Sequence, residues 1–190
     1  MIALNKESSA AISKLEDNIV YRDYNKSQTI EYQRYDLTDW KYVEDFVVPD
    51  WVMTDSICKI LDYECIMATA EFRGRTWIAF FAPDIPIQEG PWKLCGLPGI
   101  ILKAYDQKHH YYYEATAIIN HNPGRVVYFN DNNSITITDR INGLKHRRRC
   151  LSENLAAKVA STYGLNIKNV DKFKPKSYNY DFEETDYPHE

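Results

Sequence analysis

The chain has 190 residues and 22.3 kDa, 44% of it hydrophobic and 26% charged, a mixture that excludes wholesale disorder. Twenty-three basic against twenty-seven acidic residues leave a net charge of −4, which argues against a broad nucleic-acid footprint. No apolar run approaches the ~20 residues of a transmembrane helix, and a folded monomer of this mass exposes about 9,400 Å² against about 32,000 Å² for the open chain, enough for one sizeable core.

Residues 1–17 are polar with a weak helical hint at Ala10, Ile12 and Leu15, and are expected to be loosely held. The opening Met1–Asn5 lacks the basic and apolar stretches of a signal peptide. The chain is therefore either cytosolic or the mature part of an exported protein. From Asn18 to Asp106 it reads as successive strands. Ile19–Tyr24, Thr29–Tyr35 and Tyr42–Val48 are rich in Tyr, Val, Ile and Phe with charges interleaved at a period near two. Pro49 closes the third, and Trp51 opens a strand toward Leu61.

Two hairpins can be set by register. With Arg73-Gly74 as a two-residue turn, Ala70 faces Trp77, Ala68 faces Ala79 and Ile66 faces Phe81. One face is then wholly apolar, and a slip of one residue destroys the segregation. With Asp106–His109 as a second turn, Ala104 meets Tyr111, Leu102 meets Tyr113 and Ile100 meets Ala115, while Lys103, His110, Tyr112 and Glu114 share a polar face. A further hairpin is expected from Arg125–Phe129 and Ile135–Ile137 around the turn residues 130–133.

Between the two hairpins runs Ile85–Leu102, with three prolines and three glycines in eighteen residues. Such a stretch forms neither a regular helix nor a central strand and must cross between strands on fixed turns. Gly90-Pro91 and Pro98-Gly99 suit tight turns, the second of type II with glycine at positive φ.

After the strands the period changes. Ile141 and Leu144, then Leu155, Ala156, Val159, Ala160 and Tyr163, recur at three and four, with Ser152 as N-cap and Gly164 as the C′ residue. One or two helices are expected to pack on the sheet. The end from Lys172 carries Pro175, Pro188, three tyrosines and a cluster of acids, and is expected to be extended or disordered. The expected class is thus α+β, mainly antiparallel: a curved, half-barrel-like β-meander over 18–170 as a single domain, with C-terminal helices and loose termini at 1–17 and 171–190.

Gly96-Leu97-Pro98-Gly99-Ile100-Ile101 resembles the signature of the GLPGLI family of Bacteroidetes proteins, with Ile for the second Leu. The lead-in is similar too: Tyr63-x-Cys65, Phe72-Arg73-Gly74-Arg75-x-Trp77, Ile85-Pro86-Ile87 and Gly90-Pro91-Trp92-Lys93. The resemblance spans about residues 51–120, and the region before it is shorter than the family leads one to expect. It implies an exported protein of the periplasm or cell envelope, often encoded beside TonB-dependent outer-membrane systems. It brings no catalytic residues to carry over.

Four cysteines, Cys58, Cys65, Cys95 and Cys150, permit two disulfides by any of three connectivities. Their spacings match no zinc pattern. A hairpin at Leu61-Asp62 places Cys58 opposite Cys65, either as a cross-link or as two small buried thiols.

Arg73, Arg75, Trp77, Trp92 and Lys93 form the candidate ligand-binding set, able to hold a carboxylate or phosphate beside an apolar body. The plainer reading makes Arg73-Gly74 a turn and the tryptophans core. Gly90, Pro91, Gly96, Leu97, Pro98 and Gly99 are the structural motif. His109 and His110 point to opposite faces if both lie on a strand, and His121 is opposite to His110, so no metal site is expected. Lys145–Arg149 is a basic run suited to an acidic partner or a lipid headgroup, or simply a solvated helix face answered by the acidic tail. No G-x-S-x-G, H-E-x-x-H, P-loop or dinucleotide fingerprint occurs. The expectation is a non-enzymatic protein without cofactor, binding a hydrophobic ligand or a polypeptide segment. An alternative is a module that docks an outer-membrane transport partner through a strand edge or the rigid 85–99 segment; a hydrolase of unknown substrate ranks third.

Overall fold

In chain order the elements are β1 (Ile2–Asn5), β2 (Ile19–Asp23), β3 (Gln28–Tyr35), β4 (Thr38–Asp45), β5 (Val52–Ile60), β6 (Tyr63–Phe72), β7 (Arg75–Ala82), β8 (Ile100–Asp106), β9 (Tyr112–Ile118), β10 (Thr136–Asp139), α1 (Arg140–Ser152) and α2 (Leu155–Tyr163). The computed structural model describes residues 2–5, 19–35, 38–119, 136–152, 155–164, 166 and 182–188. The class is as expected: mainly β, mainly antiparallel, with two short C-terminal helices. The strands, however, divide between two sheets and two units.

The first unit holds a six-stranded antiparallel sheet in the order β1-β9-β8-β7-β6-β5. Its β5–β9 part is the meander, and the residues that alternate on it explain why. The β6–β7 register is the one expected, with Ala70 opposite Trp77, Ala68 opposite Ala79 and Ile66 opposite Phe81. Arg73 and Gly74 both adopt positive φ, +53° and +79°, which gives the primed turn whose twist matches antiparallel strands. The start of the chain, expected to be loose, contributes β1, which pairs with β9.

The β8–β9 hairpin differs from expectation by two residues: Ala104 lies opposite Tyr113 rather than Tyr111, and Lys103 opposite Glu114. An even shift keeps the same residues on the same face. The cause is Asp106, which stays in the ladder instead of starting the turn. Its N–H donates to the Tyr111 carbonyl at 3.2 Å, and its Oδ1 accepts the Tyr111 N–H at 2.8 Å.

The apolar face of this sheet is covered by the Pro/Gly-rich segment between β7 and β8. Leu94 and Leu97, both essentially inaccessible, pack with Ala68, Phe72, Trp77, Ala79, Phe81 and Tyr113, with Trp51 and Trp92 at the margin. Backbone bonds set the path: Gly96 N–H to Gln88 O at 3.0 Å, Ile100 N–H to Ile85 O at 3.0 Å, Ile101 N–H to Glu89 O at 2.9 Å. Pro91 is buried, and Pro98 is exposed. The positive φ expected at Gly99 sits at Gly96 instead, at +89°. Gly99 is required for another reason, since a Cβ there would lie 2.3 Å from the Ala82 carbonyl oxygen.

The second unit holds a four-stranded sheet, β10-β4-β3-β2, with α1 packed on β4 and β10. The β2–β3–β4 part is antiparallel, and β10 runs parallel to β4. Most of the hairpin expected around residues 130–133 lies outside the described residues, and the described end of its second arm, from Thr136, pairs with β4. Asp139, not a residue foreseen from the sequence, caps α1: its Oδ1 accepts the Asn142 N–H at 3.0 Å. Ser152, expected to open a helix, closes α1 and donates to the Arg148 carbonyl. Gly164 follows α2 at φ +63°, as a C′ residue does.

Candidate functional site

The β6–β7 turn and the Trp92-Lys93 corner bring the cationic residues of the candidate set to one side of the first unit. Trp77 is their apolar base. It is inaccessible, donates its indole N–H to Phe72 O at 3.2 Å, and lies 5.4 Å from the Trp92 ring and 6.2 Å from the Tyr113 ring. Trp77 is therefore core, and Trp92, half-buried with φ +51°, is the indole at the margin. The Lys93 ammonium sits 5.7 Å above the Trp92 ring, and the Arg73 guanidinium 5.2 Å above the Phe72 ring.

The residues that complete this cluster come from the far end of the chain. Residues 182–188, expected to be loose, are packed, with Glu183, Glu184 and Tyr187 all buried. The Glu184 carboxylate pairs with the Lys93 ammonium through Oε1, and both side chains are at most 4% exposed. Glu184 Oε2 is 3.8 Å from Arg73 Nε, and Asp186 Oδ2 is 3.9 Å from Arg73 Nη1. Thr185 binds the turn twice, its N–H donating to Arg73 O and its hydroxyl to Gly74 O, each at 2.9 Å. Arg75 donates through Nε to Phe182 O at 2.9 Å and through Nη1 to Asp106 Oδ2 at 3.0 Å, and Nη1 also lies 3.1 Å from Nδ1 of His110. The Arg75 guanidinium stacks 5.0 Å from the Tyr111 ring.

Gly74 is the point of closest approach. A Cβ there would lie 2.3 Å from Thr185 Oγ1 and 2.9 Å from the Asp186 nitrogen. The turn thus uses glycine both for its backbone conformation and to admit a polypeptide at van der Waals distance. The arrangement holds the chain's own acidic segment: a buried ammonium and a guanidinium take carboxylates, a second guanidinium takes a carbonyl, and the turn carbonyls take an N–H and a hydroxyl.

The other residues singled out in the sequence lie elsewhere. His109, at φ +54°, stacks on Tyr105 at 4.8 Å. His110 sits beside Arg75, not on the Lys103 face, and His121 lies outside the described residues. On that other face the Tyr112 hydroxyl donates to Glu114, and Lys103 lies 3.8 Å from Glu114 and 5.2 Å from the Tyr112 ring. Hydrogen bonding to Tyr112 raises the Lys103 pKa, while burial raises that of Tyr112. In the second unit the basic run lies on α1. Lys145, His146, Arg148 and Arg149 line a cleft of about 570 Å³ with Trp40, whose ring is 3.5 Å from that of His146. Glu184 and Asp186 pair with Arg73 and Lys93, and the run receives Tyr187, whose hydroxyl accepts from Arg148 Nε at 2.9 Å.

No family model and no curated protein matches the chain. Two crystal structures of PNGF-II share the fold at a TM-score of 0.51. In space group P21 the match is 17% identical over 73% of this chain, and in C2 15% identical over 68%. The chain spans about a quarter of PNGF-II, 25% and 24% of that chain in the two forms.

Proposed function

We propose that this protein is a non-enzymatic binding module that captures an extended acidic segment of a partner polypeptide on Arg73, Arg75, Lys93 and Trp92. The observation that carries the proposal is the seating of residues 182–186 of the chain itself at that place. Of the two ligand classes expected, a hydrophobic molecule in the sheet loses ground, because Leu94 and Leu97 already fill the apolar face. The polypeptide segment gains it. The fold's occurrence as a quarter of the larger PNGF-II chain suits a module that works beside other parts. The resemblance to GLPGLI proteins supports a partner in the cell envelope, an outer-membrane transport protein being the docking candidate.

The test uses the full-length protein and the synthetic peptide Phe-Glu-Glu-Thr-Asp, the sequence of residues 182–186. Glu184→Gln with Asp186→Asn weakens the resident segment without removing it. Tryptophan fluorescence should report salt-sensitive peptide binding that is tighter in this variant than in the parent chain, and Arg73→Gln should weaken it. Equal failure of the peptide to bind both proteins at low salt would overturn the reading.

A further inference from the structure

Cys58 and Cys65 are opposed in register across the β5–β6 hairpin, as the Leu61-Asp62 turn requires. Directly opposed residues of an antiparallel pair have Cα atoms about 4.5–5.5 Å apart, inside the range of about 4.4–6.8 Å that a disulfide spans. Both side chains point to the same face, since the pair shares one register position. All four cysteines are thiols in this structure. Cys95 and Cys150 are buried and belong to different units. We infer that Cys58 and Cys65 form a redox modification site that accepts oxidising equivalents from a small disulfide such as oxidised glutathione.

The two cysteines have different roles. Cys58 is half-buried and meets the donor first, while Cys65 is inaccessible, its thiol directed at the Tyr63 carbonyl at 3.6 Å. The Cys58 thiol loses its proton to solvent, and the thiolate attacks one sulfur of the donor disulfide. One donor thiolate leaves and takes up a proton. The Cys65 thiolate then attacks the Cys58 sulfur of the mixed disulfide and expels the second donor thiol. Two protein thiols and one donor disulfide become one protein disulfide and two donor thiols.

Burial pushes the Cys65 thiol up to about 11 with a further push from Cys58, and burial also raises Cys58 against the pull of the Lys103 ammonium, with Glu114 opposing that pull. Oxidation is accordingly slow near neutrality and accelerates with pH. Its structural effect falls on β5, which among the described residues has a neighbour on one side alone, an irregular register between Met53 and Ile57, and exposed Val52, Met53 and Ile57. The cross-link fastens this edge to β6.

The experiment incubates the full-length protein in oxidised and reduced glutathione mixtures, quenches with acid, alkylates, and reads masses before and after trypsin. Lys59 lies between the two cysteines, so a cross-link appears as a joined pair of tryptic peptides. The expected product is lighter by two hydrogens, joined through Cys58 and Cys65, with slower amide exchange along β5. Cys65→Ser should accumulate glutathione on Cys58, and Cys58→Ser, altering the more accessible position, should remain unmodified at Cys65. A parent chain that stays reduced, that keeps glutathione on Cys58 beside an alkylatable Cys65, or that links Cys95 or Cys150 overturns the inference.

Discussion

Lys93 and Glu184 show how much one buried ion pair can weigh in stability. Neither side chain is more than 4% exposed, so each charge needs opposite charge beside it to offset its lost hydration, Lys93 from Glu184 and Glu184 from Lys93 and Arg73. Glu184→Ala leaves the ammonium without that countercharge, and denaturant unfolding should show a loss of about 3–5 kcal/mol. Replacing both, as Lys93→Met with Glu184→Leu, should cost less than Glu184→Ala alone, because an apolar pair has no charge to desolvate. Asp139 offers a second residue-scale prediction. The Asn142 N–H that it caps lowers its pKa from 3.8 in the folded chain. A lowered carboxyl pKa adds stability above the unfolded value and loses it as pH falls through the folded one. Asp139→Ala should therefore cost about 1 kcal/mol near neutrality, and the difference from the parent chain should shrink below about pH 4, as denaturation followed by circular dichroism at several pH values would show.

At the scale of elements the two hairpins separate what a pattern can reveal from what it cannot. The β6–β7 register was legible because every residue of one face, from Ile66 through Ala68 and Ala70 to Trp77, Ala79 and Phe81, is apolar, and the two-residue Arg73-Gly74 turn selects this one among the pairings that keep them together. In β8–β9 a shift of two leaves the faces intact, so alternation cannot distinguish the pairings. The choice is made by Asp106, held by Arg75 and by the Tyr111 N–H. Asp106→Ala should cost about 2 kcal/mol, since it removes the buried carboxylate that accepts from both Arg75 Nη1 and the Tyr111 N–H, and exchange of the Tyr111 amide should quicken. Gly74→Ala tests the other turn. A residue with a Cβ at φ +79° is strained by about 1–2 kcal/mol and presses on Thr185 and Asp186. Denaturation should register that loss, and limited proteolysis should cut the 182–186 segment faster.

For the molecule as a whole, the decisive contacts join residues far apart in the chain. The Lys93–Glu184 pair spans 91 residues, and Thr185 meets Gly74 across 111. Arg73, Arg75, Lys93 and Trp92 could be singled out because basic and aromatic residues cluster around one turn and one rigid corner. Their occupant could not, because Phe182-Glu183-Glu184-Thr185-Asp186 has the composition of a solvated tail. Charge complementarity between the two stretches was the available signal, but the basic run at Lys145–Arg149 offered the acids an equally good match. Only the packing against Gly74 distinguishes them.

Local rules were enough for the strands of the meander, the β6–β7 turn and the presence of C-terminal helices, though not for β1 or for where α1 ends, because alternation, turn chemistry and periodicity act over a few residues. The division into two sheets, the parallel seat of β10, the β8–β9 register and the burial of the acidic segment were decided by tertiary structure. Each depends on which distant surface offers a polar group its partner, and loop closure over a hundred residues leaves no mark on the sequence nearby.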